Sequence, residues 1–234
     1  MHPSAHAQMA LSVERYMDPG RHYDVLDFGS GTSPWQTMTH RSILEDYDID
    51  YTGVDVREGD NIDITMTKPY KIPMKSKSVD VVLTGQVFEH VPFFWASLLE
   101  IARVMRPRAY LFMTVPSRGH VHTEEDFWRV YPDGLRAMAA WSRLVLVEAF
   151  TDFPPLYPAE QKPRPEAKHD YASIDSENYY WGDTVGVFRK PKKYPGVRAA
   201  VLRAAVLAWA NKIGGIGSVA EAKPKGRKDV LGVG

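Results

Sequence analysis

The feature that most restricts this chain is the run Tyr23-Asp24-Val25-Leu26-Asp27-Phe28-Gly29-Ser30-Gly31-Thr32, where an apolar stretch closes on an acid and breaks into two glycines. Val25 and Leu26 lack polar alternation, the pattern of a parallel strand buried on both faces. Gly29 and Gly31 permit positive φ and let a ligand reach bare backbone. Pro34 suits the first turn of a following helix, where its missing N–H costs nothing. Strand, glycine turn and helix in this order open a nucleotide-type site at the carboxyl edge of an open α/β sheet. Pro34 stands where the dinucleotide fingerprint would have its third glycine, and no Walker lysine follows, which excludes a P-loop.

The rest of the chain repeats the alternation. A helix is expected from Ser4, as N-cap, to Met17, with Met9, Leu11, Val13 and Tyr16 as its apolar positions. Another is expected from Trp35 to Leu44. Strands are expected at Tyr51–Val56, Asn61–Ile64, Ser78–Thr84, Tyr110–Val115 (stopped by Pro116), Leu144–Glu148 and Thr184–Phe188, with helices at Trp95–Met105 and Pro132–Trp141. This order predicts an α/β fold: a doubly wound, mostly parallel seven-stranded sheet with helices on both faces. Residues 1–20 form an N-terminal capping helix and 21–192 the domain. Within it, 151–182 carry five prolines, four tyrosines and Trp181, a long connection that reads as a lid over the crevice. Residues 193–213 read as a basic amphipathic helix with Val201, Leu202, Val206, Trp209 and Ile213 on one broad face. Residues 214–234 read as a disordered basic tail.

The chain has no cysteine, which removes disulfides, thiolate metal sites and cysteine nucleophiles, and fits a cytoplasmic setting. Its zero net charge hides an asymmetry: from Arg189 to the end there are 11 Lys/Arg against 2 acids, so residues 1–188 carry −9. A basic tail on an acidic body suits an anionic or membrane-surface contact, and no nucleic-acid module accompanies it.

In order and spacing, residues 23 to 150 resemble class I S-adenosylmethionine-dependent methyltransferases. Carrying the resemblance are Val25–Thr32, Gly53-Val54-Asp55, Val79–Leu83 with Gln86-Val87-Phe88-Glu89-His90-Val91, and Glu100–Pro107. The nearest branch is type 11, whose fourth strand leads into Glu-His-Val. Asp126-Phe127-Trp128-Arg129 and Pro132-Asp133-Gly134-Leu135 fit a subgroup of it. The family's Arg-Pro-Gly-Gly turn is here Arg106-Pro107-Arg108-Ala109.

The resemblance implies S-adenosyl-L-methionine as cofactor, and the residue chemistry agrees. Bare N–H groups of Gly29, Ser30 and Gly31, with the Asp27 carboxylate, suit its amino-acid end. Asp55 suits both ribose hydroxyls. Asp63 is the candidate adenine-contacting acid, although Thr67 and Lys68 lie nearer the family position. Thr84, Gly85 and Gln86 would line the methyl-donor pocket. An alcohol acceptor benefits from a base near neutral pH. Among His90, His120 and His122, all at strand exits, His90 is the first choice. His122 and Asp126 could instead face the acceptor, with Arg129 holding an anion or a sugar hydroxyl; the alternative for these three is a network at a helix start. No metal-ligand set is evident. The expected function is O-methylation of a small-molecule or saccharide-like acceptor. The alternatives are a lipid or quinone acceptor at a membrane surface, or a cofactor-binding protein without its own activity.

Overall fold

Seven strands make one sheet in the computed structural model, which describes residues 3–32, 38–119, 121, 125–151, 182–194 and 196–213. They are β1 (Tyr23–Phe28), β2 (Ile49–Asp55), β3 (Ile64–Thr65), β4 (Val79–Gly85), β5 (Met105–Arg118), β6 (Val145–Thr151) and β7 (Gly182–Arg189). The order is β3-β2-β1-β4-β5-β7-β6. Neighbours up to β5 are parallel, and β7 runs antiparallel to both β5 and β6. The expected doubly wound, mostly parallel sheet is therefore present, with a single reversed strand.

Alternate residues of the central strands feed two cores. Leu26, Val82, Leu111 and Met113 join Leu98 and Ile101 of α3 (Phe94–Val104) and Leu135 of α4 (Pro132–Ser142). On the other face Val25, Val81, Leu83 and Phe112 pack with Met9 and Val13 of α1 (Pro3–Tyr16), and with Leu44 just after α2 (His40–Ile43). Each fully buried aliphatic side chain contributes about 1.5–3 kcal/mol. Covering both faces removes any need for polar alternation, so these strands read as unbroken apolar runs.

Several boundaries differ from expectation. The β5 strand runs through Pro116, which sits opposite Asp183 beside a register shift, the kind of irregular position that tolerates proline. The third strand is only two residues long, and Asp63 precedes it. Ser4 lies inside α1, and its hydroxyl donates to Asp183 at 2.8 Å. Helix α2 is described only from His40; Pro34 and Trp35 lie outside the described residues. The Arg106–Ala109 turn keeps the left-handed backbone its family glycine would supply, with Arg108 at φ 72°. Helix α5 (Val197–Ile213) is not amphipathic in the expected sense, because Val201, Leu202 and Trp209 face solvent while Ala210 is buried.

Candidate cofactor and acceptor site

The strand order reverses between β1 and β4, so their carboxyl ends flank a crevice where ligands of open α/β sheets bind. Gly29 follows β1 at φ +80°, and a Cβ there would lie 2.3 Å from Val87 Cγ2. Only glycine fits this turn. Its amides, expected to meet the ligand, are used elsewhere: Gly29 and Ser30 N–H donate to Val54 O at 2.8 and 3.3 Å, and Gly31 N–H donates to Asp55 Oδ2 at 3.1 Å. The Ser30 hydroxyl sits over Gly53, whose Cβ would lie 2.7 Å from it. The loop is thus laced to β2.

Asp27 also differs from expectation. It is buried, accepting from Tyr51 Oη at 2.5 Å through Oδ2 and facing His40 Nδ1 at 2.8 Å through Oδ1. Burial and the Asp27 charge push the Tyr51 hydroxyl upward, so it remains a donor. A carboxylate can only accept, so His40 Nδ1 carries the proton and Nε2 points onward. Asp27 is therefore a positioning residue behind His40, which sequence reasoning missed. No spacing signals it, because α2 folds it back over β1.

His40 Nε2 is buried and has no hydrogen-bond partner among the described residues, and neither do Thr84 Oγ1 and Thr114 Oγ1. A Cβ on Gly85 would lie 2.7 Å from His40 Nε2 and 3.0 Å from Thr114 Oγ1. Leaving such atoms unpaired costs about 1–3 kcal/mol each, which a polar ligand in the crevice would recover. This orphaned polar ring around a bare Cα fits the ammonium and carboxylate of a methionine moiety. Next in line, Gln86 holds φ 58°, donates N–H to Thr114 O at 2.9 Å and sends Nε2 to Asp183 Oδ1 at 3.1 Å.

Asp55 ends β2 at the other side of the glycine turn. Its carboxylate accepts from the N–H groups of Gly31, Val56 and Arg57, which fixes it at the crevice mouth with spare lone pairs for a ribose. Asp63 behaves differently. Its Oδ2 accepts from Gly53 N–H at 2.7 Å and its own N–H donates to Gly53 O at 2.8 Å, so it braces the edge of the sheet. Thr67 and Lys68, which do follow β3, are exposed.

Beyond β4 the acceptor side is built on a 3-10 turn, Phe88–His90. His90 Nδ1 lies 2.6 Å from Glu125 O; a carbonyl only accepts, so Nδ1 carries the proton and the basic lone pair is on Nε2. Asp126 and Arg129 pair with each other, Nη2 to Oδ2 at 2.6 Å, and a second Arg129 N–H goes to Trp128 O. His122, the third member of the expected network, lies outside the described residues. His120 and His122 lie outside the described residues, as does the proposed lid over 152–181. The ends flanking that segment, Thr151 and Gly182, both lie at the carboxyl edge of the sheet.

Glu89 is the second residue whose role the sequence did not reveal. It is 1% exposed, neither carboxyl oxygen has a hydrogen-bond partner among the described residues, and burial pushes its ionisation up to about 8. Such a group is mostly protonated at neutral pH. At the opposite edge His22, Asp24 and Asp50 bring ligand atoms within 4.8 Å of one another, a cluster the sequence separation concealed; Arg106 neutralises Asp24 there.

Residues 26–113 match the family model described as a methyltransferase domain. No curated protein matches the chain in sequence. Among solved structures it is similar to the 1,6-didemethyltoxoflavin-N1-methyltransferase of Burkholderia thailandensis, solved with its substrate and S-adenosylhomocysteine. The two share 16% identity and a TM-score of 0.55 over 81% of this chain and 79% of that one. Phosphoethanolamine N-methyltransferase 2 of Haemonchus contortus, also solved with S-adenosylhomocysteine, gives 13% and 0.55 over 79% of this chain and 52% of that one. The [4+2]-cyclase SpnF gives 16% and 0.55 over 80% and 81%. At these identities the likeness establishes the fold; the cyclase shares it as well. The matched methyltransferase domain, residues 26–113, lies on the class I methyltransferase fold that these structures share.

Proposed function

We propose that this enzyme methylates an oxygen of a small-molecule acceptor held over the exits of β4 and β5, with His90 as the base. The placement of the chain in the Glu-His-Val branch, through Glu89-His90-Val91, belongs to the same reading. S-adenosylmethionine supplies a methyl group already activated on a sulfonium, so the protein's share of catalysis is positioning, exclusion of water and removal of one proton. His40, Thr84, Gly85 and Thr114 would hold the amino-acid end and Asp55 the ribose. The observation carrying the proposal is the tautomer of His90: donation from Nδ1 to Glu125 O puts the basic lone pair of the ring on Nε2. A hydroxyl acceptor loses H⁺ to Nε2 as its oxygen forms the new C–O bond and the S–C bond breaks. Glu89 Oε1 lies 3.7 Å from Nε2 in the same wall of the site. A saccharide remains the finer candidate for the acceptor, resting on the aromatic residues of 152–181.

Turnover of S-adenosylmethionine over a panel of hydroxyl and amine acceptors tests this reading. His90→Ala should lower kcat by ~10²–10⁴-fold and leave S-adenosylhomocysteine affinity unchanged. Equal loss of both would make His90 a structural residue, and turnover confined to amines would remove the O-methylation.

A further inference from the structure

Helix α5 packs on α3 through one side only. Ala210 is buried there, Val206 and Leu207 join a cluster with Tyr70, Val91 and Ala96, and Arg203 Nε reaches Glu100 Oε1 at 3.5 Å. The outward side is apolar as well. Val201, Leu202 and Trp209 are 64%, 44% and 53% exposed, with exposed Ala204, Ala205 and Ala208 between them. These positions recur every three to four residues and so form one stripe. Between Val201 and Trp209 the only charge is Arg203, which turns inward to Glu100.

A helix that is apolar on both sides is normally covered on both. Charge decides what covers the outer one. No acid occurs between Asp183 and Glu221, while Lys192, Lys193 and Lys212 are exposed at the two ends of the helix. The chain from Arg189 onward carries 11 basic residues against 2 acids. A second copy would set two such positive segments side by side. An anionic lipid surface matches their sign and accepts apolar side chains at the same depth.

We propose that the outer face of α5 seats this protein on an anionic membrane surface, with Val201, Leu202 and Trp209 in the acyl boundary and Lys192, Lys193 and Lys212 at the phosphates. The attachment is peripheral, since no helix among the described residues is long and apolar enough to cross a membrane. It is independent of which acceptor is methylated.

The test is cosedimentation of the full chain with phosphatidylcholine vesicles, with and without phosphatidylglycerol, alongside Trp fluorescence. Each exposed lysine near an anionic surface strengthens binding about fivefold, so partitioning should rise at least ~10-fold with phosphatidylglycerol and fall again with added salt. The double variant Val201→Glu/Leu202→Glu should lose that binding while keeping the wild-type melting temperature, because both side chains are already in solvent. Equal or absent binding to the two vesicle types would overturn the proposal, as would binding that survives the double variant. A dimer in sedimentation equilibrium that the same variant dissolves would give the face to a second copy instead.

Discussion

Replacing Glu89 by glutamine should change how stability depends on pH. Burial carries the Glu89 carboxyl from its ordinary 4.5 to about 8 in the folded chain. At about 1.36 kcal/mol per pH unit the displacement corresponds to about 5 kcal/mol. Because the folded value is raised, the folded state retains a proton that the unfolded state has released between pH 4.5 and about 8. Unfolding free energy from this group is therefore full below pH 4.5 and is lost progressively as pH climbs to about 8. Glutamine has nearly the same shape and no proton to lose. The stability of Glu89→Gln minus that of wild type should then rise by about 1.4 kcal/mol per pH unit, or about 3 kcal/mol between pH 5 and pH 7. Urea unfolding of both proteins at pH 5, 6, 7 and 8 measures this difference, and other titrating groups cancel in it. A constant difference, or one that shrinks with pH, would mean that Glu89 ionises as readily in the folded chain as in the unfolded one.

Other perturbations separate the parts of the site. Asp55→Ala should weaken S-adenosylhomocysteine binding by ~1–3 kcal/mol, since a charged acceptor to ribose hydroxyls is lost; calorimetry reads it, and unchanged affinity would remove the ribose role. His40→Ala should weaken S-adenosylhomocysteine by ~1–3 kcal/mol while leaving 5′-methylthioadenosine, which lacks the amino-acid end, unaffected. Equal loss for both ligands would assign His40 to the fold instead. Gly29→Ala forces a Cβ against Val87 at φ +80° and should cost ~1–3 kcal/mol of stability, visible in the melting temperature.

The crevice was largely legible in the sequence. Apolar runs ending in Asp27 and Asp55, two glycines spaced two apart, and Gln86–Val91 after the clearest strand fix its walls, because parallel strands buried on both faces leave unbroken apolar runs and their exits carry the ligand groups. What each group touches was another matter. The glycine amides, Asp27 and Asp63 were read as ligand contacts, yet each is bound within the protein: to Val54, to His40 and Tyr51, and to Gly53. A hydrogen-bonding group seen only in sequence is spoken for by whichever partner the fold brings within reach, and those partners stand 10 to 25 residues away.

Residue order alone therefore determined the sheet and the crevice, since these depend on local periodicity and on where glycine is indispensable. Only the tertiary structure decided that His40 closes over Asp27, that the Glu89 carboxyl lies buried with no hydrogen-bond partner among the described residues, and that both sides of α5 are apolar in place. Each of those is a matter of distance between segments remote along the chain and of water excluded between them. No pattern of neighbours in sequence encodes either quantity.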